Sequence, residues 1–177
     1  MKKWALLLGV TLLFAGIAGA QENPAMELFG GYSYVHLTVS GTTFSTDANG
    51  GSGSVSFNPN SWLGLVGEFG GYTGGTSSIN GTMYTYLFGP KVAYRARTFT
   101  PFVQALFGGA HITAGSKINA GSENAFATAI GGGLDWNATK RIAVRVVQAD
   151  YLLTELTDGF NDKQNSLRIS AGVVFRF

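Results

Sequence analysis

The sequence contains no cysteine, only two histidines (His36 and His111), and few charges: Asp, Glu, Lys and Arg make up 12% of its 177 residues. Without cysteine there is neither a disulfide framework nor thiolate chemistry. With two separated histidines and no thiolate, a zinc centre is unsupported, and no metal or cofactor is expected. Charge of one sign is also lacking, because twelve basic residues stand against ten acidic ones. An electrostatic nucleic-acid binder is thereby excluded. Beyond the first twenty residues there is neither a convincing amphipathic helix nor a long apolar run. The glycine runs Gly70-Gly71 and Gly131-Gly132-Gly133 precede no helix, so they do not form a phosphate-binding loop.

What is present begins with an export signal. Lys2 and Lys3 are followed by an apolar run from Trp4 to Ala18, and Ala18-Gly19-Ala20 supplies small residues before the polar Gln21-Glu22-Asn23-Pro24. Charged start, apolar middle and small-residue end are the parts of a cleaved secretory signal. A membrane anchor would need a longer run. Removal of residues 1–20 leaves one domain, 21–177, with a formal charge near zero. A secreted chain without disulfides needs another source of order, and backbone hydrogen bonding in a closed sheet provides one.

The mature chain alternates with period two, interrupted by Gly, Asn, Ser, Thr and Asp clusters. The pattern predicts eight strands, at 26–40, 50–57, 61–73, 81–95, 99–113, 124–136, 140–154 and 164–177. Asn58-Pro59-Asn60, Ala96-Arg97-Thr98 and Asn137-Ala138-Thr139 read as tight turns. Between them lie the longer polar segments 41–49, 74–80, 114–123 and 155–163. Strict alternation of short and long connections suits an up-and-down membrane barrel with short periplasmic turns and longer outer loops. Both termini then lie on the periplasmic side.

The two faces of each strand differ. In the last, Leu167, Ile169, Ala171, Val173, Phe175 and Phe177 oppose Arg168, Ser170, Gly172, Val174 and Arg176. In the fourth, Tyr84, Tyr86, Phe88, Pro90, Val92 and Tyr94 oppose Met83, Thr85, Leu87, Gly89, Lys91 and Arg95. In the sixth, Phe126, Ile130, Leu134 and Trp136 oppose Ala125, Ala127, Ala129, Gly131 and Gly133. A narrow eight-stranded lumen has room for small residues and a few long polar ones, so the bulky apolar face must meet lipid. Phe57, Trp62, Tyr94, Phe99, Trp136, Phe175 and Phe177 all fall beside short turns or the C-terminus, as an interfacial aromatic girdle would.

The tail Ser170-Ala171-Gly172-Val173-Val174-Phe175-Arg176-Phe177 resembles the C-terminal assembly signal of outer-membrane barrels: polar, any, glycine, any, any, aromatic, any, aromatic. The resemblance implies that Ser170, Gly172, Phe175 and Phe177 are read by the barrel-assembly machinery; alternatively, the two phenylalanines are simply girdle residues. Residues 25–177 as a whole resemble the porin-like outer-membrane β-barrel domain family. The chain stops at the eighth strand, so the wall-tethering role of longer members is not carried over.

Charges on the inward face are the candidate site. Glu68 and Lys91 are expected at middle depth on neighbouring strands, with Arg145 and Gln104 at a similar level. Asp150 and Arg168 are expected to pair on strands seven and eight, and Glu27 and Arg176 at the closing seam. Turning both Arg145 and Asp150 inward requires a bulge near Val146–Val147. Paired, these groups form a plug; switchable, they line a narrow ion pathway. Resemblance to small barrels favours the plug.

Two other classes of function stay open. His111, Thr113 and Glu123 make a grouping similar to that of outer-membrane lipid A deacylases, yet those enzymes use serine in a fuller motif, and no catalytic residue is assigned. An adhesion barrel would act through outer loops, whose larger side chains include Phe44 and Phe160. The reading adopted is an all-β, eight-stranded integral outer-membrane barrel, structural or porin-like, with a closed or very narrow lumen. It is expected to be monomeric and non-enzymatic, to bind no nucleic acid, and to be surrounded by outer-membrane lipids including lipopolysaccharide.

Overall fold

Alternation of period two gives eight strands and nothing else among the described residues. A computed structural model describes residues 24–39, 45–76, 79–115, 120–156 and 163–177. The strands are β1 (Met26–Val39), β2 (Ser45–Phe57), β3 (Leu63–Thr76), β4 (Ile79–Ala93), β5 (Phe99–Gly115), β6 (Ala120–Asn137), β7 (Ile142–Leu156) and β8 (Lys163–Arg176). Each pairs antiparallel with its sequence neighbours, and β8 pairs with β1. Closure satisfies the backbone of both terminal strands, and no sheet edge remains. At the seam Leu28 lies opposite Phe175 and Ser33 opposite Ser170.

The rim where β1 begins and β8 ends, the terminal rim, is built from side-chain-locked turns. Leu63 N donates to Asn60 Oδ1 at 2.9 Å, and Ile142 N to Thr139 Oγ1 at 2.9 Å. Asn137 Nδ2 reaches the carbonyl of Ala96 at 2.9 Å, tying the β4–β5 turn to the end of β6. The bonds to Asn60 and Thr139 are the local ones for which Asn and Thr are favoured in turns.

At the far rim the structure departs from the sequence reading. Composition predicts long connections there, but the strands run on into those segments, β2 beginning at Ser45 and β6 at Ala120. The residues left between strands, 40–44, 77–78, 116–119 and 157–162, are comparable in length to 58–62, 94–98 and 138–141 at the terminal rim. Long and short connections therefore do not alternate. Ladder bonds satisfy the backbone whatever the side chains are, so Gly- and Ser-rich chain extends as strand where both neighbours are in register.

Side-chain direction follows the expected parity. Phe57, Trp62, Tyr94, Phe99, Trp136, Phe175 and Phe177 all point outward at the terminal rim, and Phe69, Tyr84, Tyr86, Phe88, Phe107, Phe126 and Ile130 continue the apolar exterior above them. The required bulge is present: register shifts between Arg145 and Gln148 on β7, opposite Gly172 and Ser170, so Val146 and Val147 both face outward while Arg145 and Gln148 both face in. The lumen is less uniformly polar than predicted. Phe29, Phe102, Leu106, Tyr72, Met83 and Leu152 all turn inward and are buried.

Candidate functional site

The lumen gathers nearly all the buried charge, in two connected clusters. Nearest the terminal rim, Glu27 on β1 accepts from Lys91 Nζ on β4 at 2.5 Å through Oε2 and from Arg176 Nε on β8 at 3.2 Å through Oε1. Lys91 also donates to Ser56 Oγ at 3.0 Å. On the opposite wall Arg145 makes a bidentate pair with Asp135, at 2.8 and 3.2 Å. Its guanidinium is clamped between two rings, 4.3 Å from the centroid of Phe29 and 4.4 Å from that of Phe102. Cation–π attraction of this kind strengthens once water is excluded.

Glycine makes that clamp possible. A Cβ at Gly31 would lie 2.7 Å from the tip of the Phe29 ring, and one at Gly133 would lie 2.7 Å from the tip of Phe102. Two positions without side chains therefore hold the volume that the rings fill.

The second cluster centres on Arg168, a fully buried side chain. Its Nη2 is 2.6 Å from Asp150 Oδ2, and its Nη1 donates to Tyr72 Oη at 2.9 Å. Nη1 also lies 2.5 Å from Glu68 Oε1, an ion pair without hydrogen-bond alignment. Gln148 joins the clusters: its Oε1 accepts from Arg145 Nη1 at 2.6 Å, and its Nε2 donates to Asp150 Oδ2 at 2.7 Å. Gln104 adds a bond to Asp150 Oδ1 at 3.2 Å. Packed with this network are Val35, Ala48, Met83, Leu87, Leu106, Ala110, Ala127, Ala129 and Leu152. Burying this many charges is costly, and the pairing offsets much of that cost.

Of the expected juxtapositions, Asp150 with Arg168 and Glu27 with Arg176 are in register on adjacent strands. Glu68 and Lys91 are not brought together. Lys91 lies opposite Gly64 and Glu68 opposite Leu87, so the two sit at different depths. Each finds its partner across the lumen instead, on β1 and β8, because long side chains span a narrow barrel. Asp135, Gln148 and Tyr72 escape the sequence reading. Asp135 carried a signal, its parity opposite to Leu134 and Trp136, whereas Gln148 depends on the bulge and Tyr72 on a cross-lumen partner.

In the tail, Ser170 and Gly172 point into the barrel and Phe175 and Phe177 out of it. Ser170 Oγ lies 2.8 Å from Ser33 Oγ, and a side chain on Gly172 would collide with the carbonyl of Gly30. His111 Nδ1 lies 2.8 Å from Asn124 Oδ1, an amide rather than a carboxylate. His36, by contrast, meets a carboxylate, with Nδ1 2.7 Å from Asp47 Oδ1 on the outward face. Among the described residues no group of His, Cys, Asp or Glu is arranged to hold a metal ion. Phe44, Phe160 and the side chain of Glu123 lie outside the described residues.

The family described as "Outer membrane protein beta-barrel domain" matches residues 5–177. The chain belongs to this family. Membership places the barrel in the bacterial outer membrane and accounts for its apolar exterior, which faces lipid. Among solved structures it is similar to Ail, the attachment invasion locus protein of Yersinia pestis, at 19% identity and a TM-score of 0.61, covering 86% of this chain and 99% of that one. Neisserial surface protein A matches with a TM-score of 0.71 at 13% identity, covering 86% and 97%. The N-terminal barrel domain of Pseudomonas aeruginosa OprF matches at 15% identity with a TM-score of 0.58, covering 88% and 100%. At these identities the likeness is one of fold. No curated protein sequence matches.

Proposed function

We propose that this outer-membrane barrel is a non-catalytic structural protein whose lumen is plugged by its own charge network. The observation that carries this reading is the continuous crossing of the lumen. Arg145 is wedged between Phe29 and Phe102, and Arg168 bridges Glu68 on β3 to Asp150 on β7. A solute would have to break several buried ion pairs at once to pass. In this reading residues 1–20 direct export and are removed. The assembly machinery reads Ser170, Gly172, Phe175 and Phe177, and the mature barrel sits as a monomer among lipopolysaccharide and other outer-membrane lipids.

Planar-bilayer recording tests the plug. Wild-type barrel is expected to leave the membrane at baseline conductance, and combined Arg145→Ala and Arg168→Ala substitution is expected to produce discrete openings. Sustained wild-type conductance overturns the plug in favour of a narrow porin. N-terminal sequencing of protein from the outer membrane tests export, with Gln21 as the expected first residue.

A further inference from the structure

Just inside the terminal rim the cationic side chains outnumber the acidic ones. Lys91, Arg95, Arg145 and Arg176 share two acids, Glu27 and Asp135. Asp135 is gripped by Arg145, and Glu27 commits one oxygen to Lys91 and the other to Arg176. Arg95, which follows the end of β4, is left over. Its Nη1 donates to the carbonyl of Ser61 at 2.5 Å and so anchors the guanidinium to the β2–β3 turn. Its Nε and Nη2 are buried without a hydrogen-bond acceptor, and the nearest carboxylate oxygen, Glu27 Oε1, is 3.6 Å from Nη2.

The Arg95 side chain is only 8% exposed. Nη2 of Arg176 is likewise buried without an acceptor, 3.8 Å from Asp135 Oδ2. Glu27 Oε1 lies 3.6 Å from Arg95 and 3.2 Å from Arg176, so the two guanidiniums converge on the same carboxylate oxygen. Buried charged donors without acceptors are costly. The Nε–Nη2 edge of arginine is the fork that matches two oxygens of a carboxylate or phosphate.

We infer that this corner of the lumen is an oxyanion-binding site, in which Arg95 chelates a small oxyanion such as inorganic phosphate and Arg176 flanks it. Arg95 is anchored to the β2–β3 turn at the terminal rim, apart from the Arg168 cluster, so the site stands whether or not the barrel conducts.

The test is a phosphate titration at constant ionic strength, on full-length barrel in neutral detergent. It is read by 31P line broadening and by the temperature of the mobility shift between folded and unfolded forms. Saturable broadening with a rising transition temperature is the expected result. Arg95→Gln is expected to weaken binding about tenfold or more, the loss of two charge-assisted hydrogen bonds. Arg95→Lys, which keeps the charge and loses the fork, is expected to weaken it similarly. Arg97→Gln, on the exposed part of the same turn, is expected to bind as wild type. If anionic lipid in nanodiscs suppresses phosphate binding, a headgroup phosphate occupies the same site. A response that is non-saturable, or unchanged in Arg95→Gln, overturns the assignment and leaves the orphaned donors to water.

Discussion

Removing Arg168 is the most direct perturbation of the lumen. The guanidinium is fully buried and lies 2.5 Å from one carboxylate and 2.6 Å from another. At an effective dielectric of about 20, each contact corresponds to roughly 6 kcal/mol of attraction, from which desolvation of three ions subtracts several kcal/mol apiece. The net worth of the triad is therefore small, yet truncating its centre leaves Glu68 and Asp150 buried without the cation they share. Arg168→Ala is accordingly expected to cost about 3–5 kcal/mol, the range for an orphaned buried charge. Replacing all three together, as Arg168→Met with Glu68→Gln and Asp150→Asn, is expected to recover most of that loss, because no buried charge is then unpaired. Urea unfolding in lipid vesicles measures both. An Arg168→Ala loss below about 1 kcal/mol, in the range of an exposed surface pair, would refute the argument, as would a triple variant no more stable than the single one.

Other parts of the barrel are open to equally concrete checks. Gly133→Ala drives a Cβ into the Phe102 ring at 2.7 Å and into the Val147 carbonyl, and is expected to cost about 1–3 kcal/mol in the same unfolding assay. Phe102→Ala removes one face of the Arg145 clamp and is expected to cost about 3–5 kcal/mol. On the exterior, Phe88→Arg places a charge in the apolar band and is expected to cost about 2–4 kcal/mol in bilayers, with a smaller effect in detergent. Phe177→Ala is expected to reduce insertion into the outer membrane of living cells while leaving refolding into detergent micelles intact; equal loss in both would make Phe177 a stability residue rather than an assembly signal.

How much the sequence determined follows from which distances are local. Period-two alternation is a property of one strand at a time, so the eight strands and the outward set from Phe57 to Phe177 were legible without a fold. So was the need for a bulge at Val146–Val147, because Arg145 and Asp150 could not both turn inward on an unbroken strand. Register between adjacent strands was partly legible, enough to pair Asp150 with Arg168 and Glu27 with Arg176.

Contacts across the lumen were not. Lys91 reaches Glu27 from β4 to β1, and Arg168 reaches Glu68 from β8 to β3, choices made by barrel diameter, tilt and side-chain length together. Parity with Glu27 and Gln104 turns Phe29 and Phe102 inward, but their convergence on Arg145 is of the same cross-lumen kind. Their volume fits only because Gly31 and Gly133, remote in sequence from Arg145, vacate the space on which the clamp depends. Composition also misjudged the far rim, where Gly- and Ser-rich segments form strand because closed pairing satisfies their backbone whatever their side chains prefer. Sequence set the period and the membrane-facing surface; tertiary closure chose the partners of the buried charges.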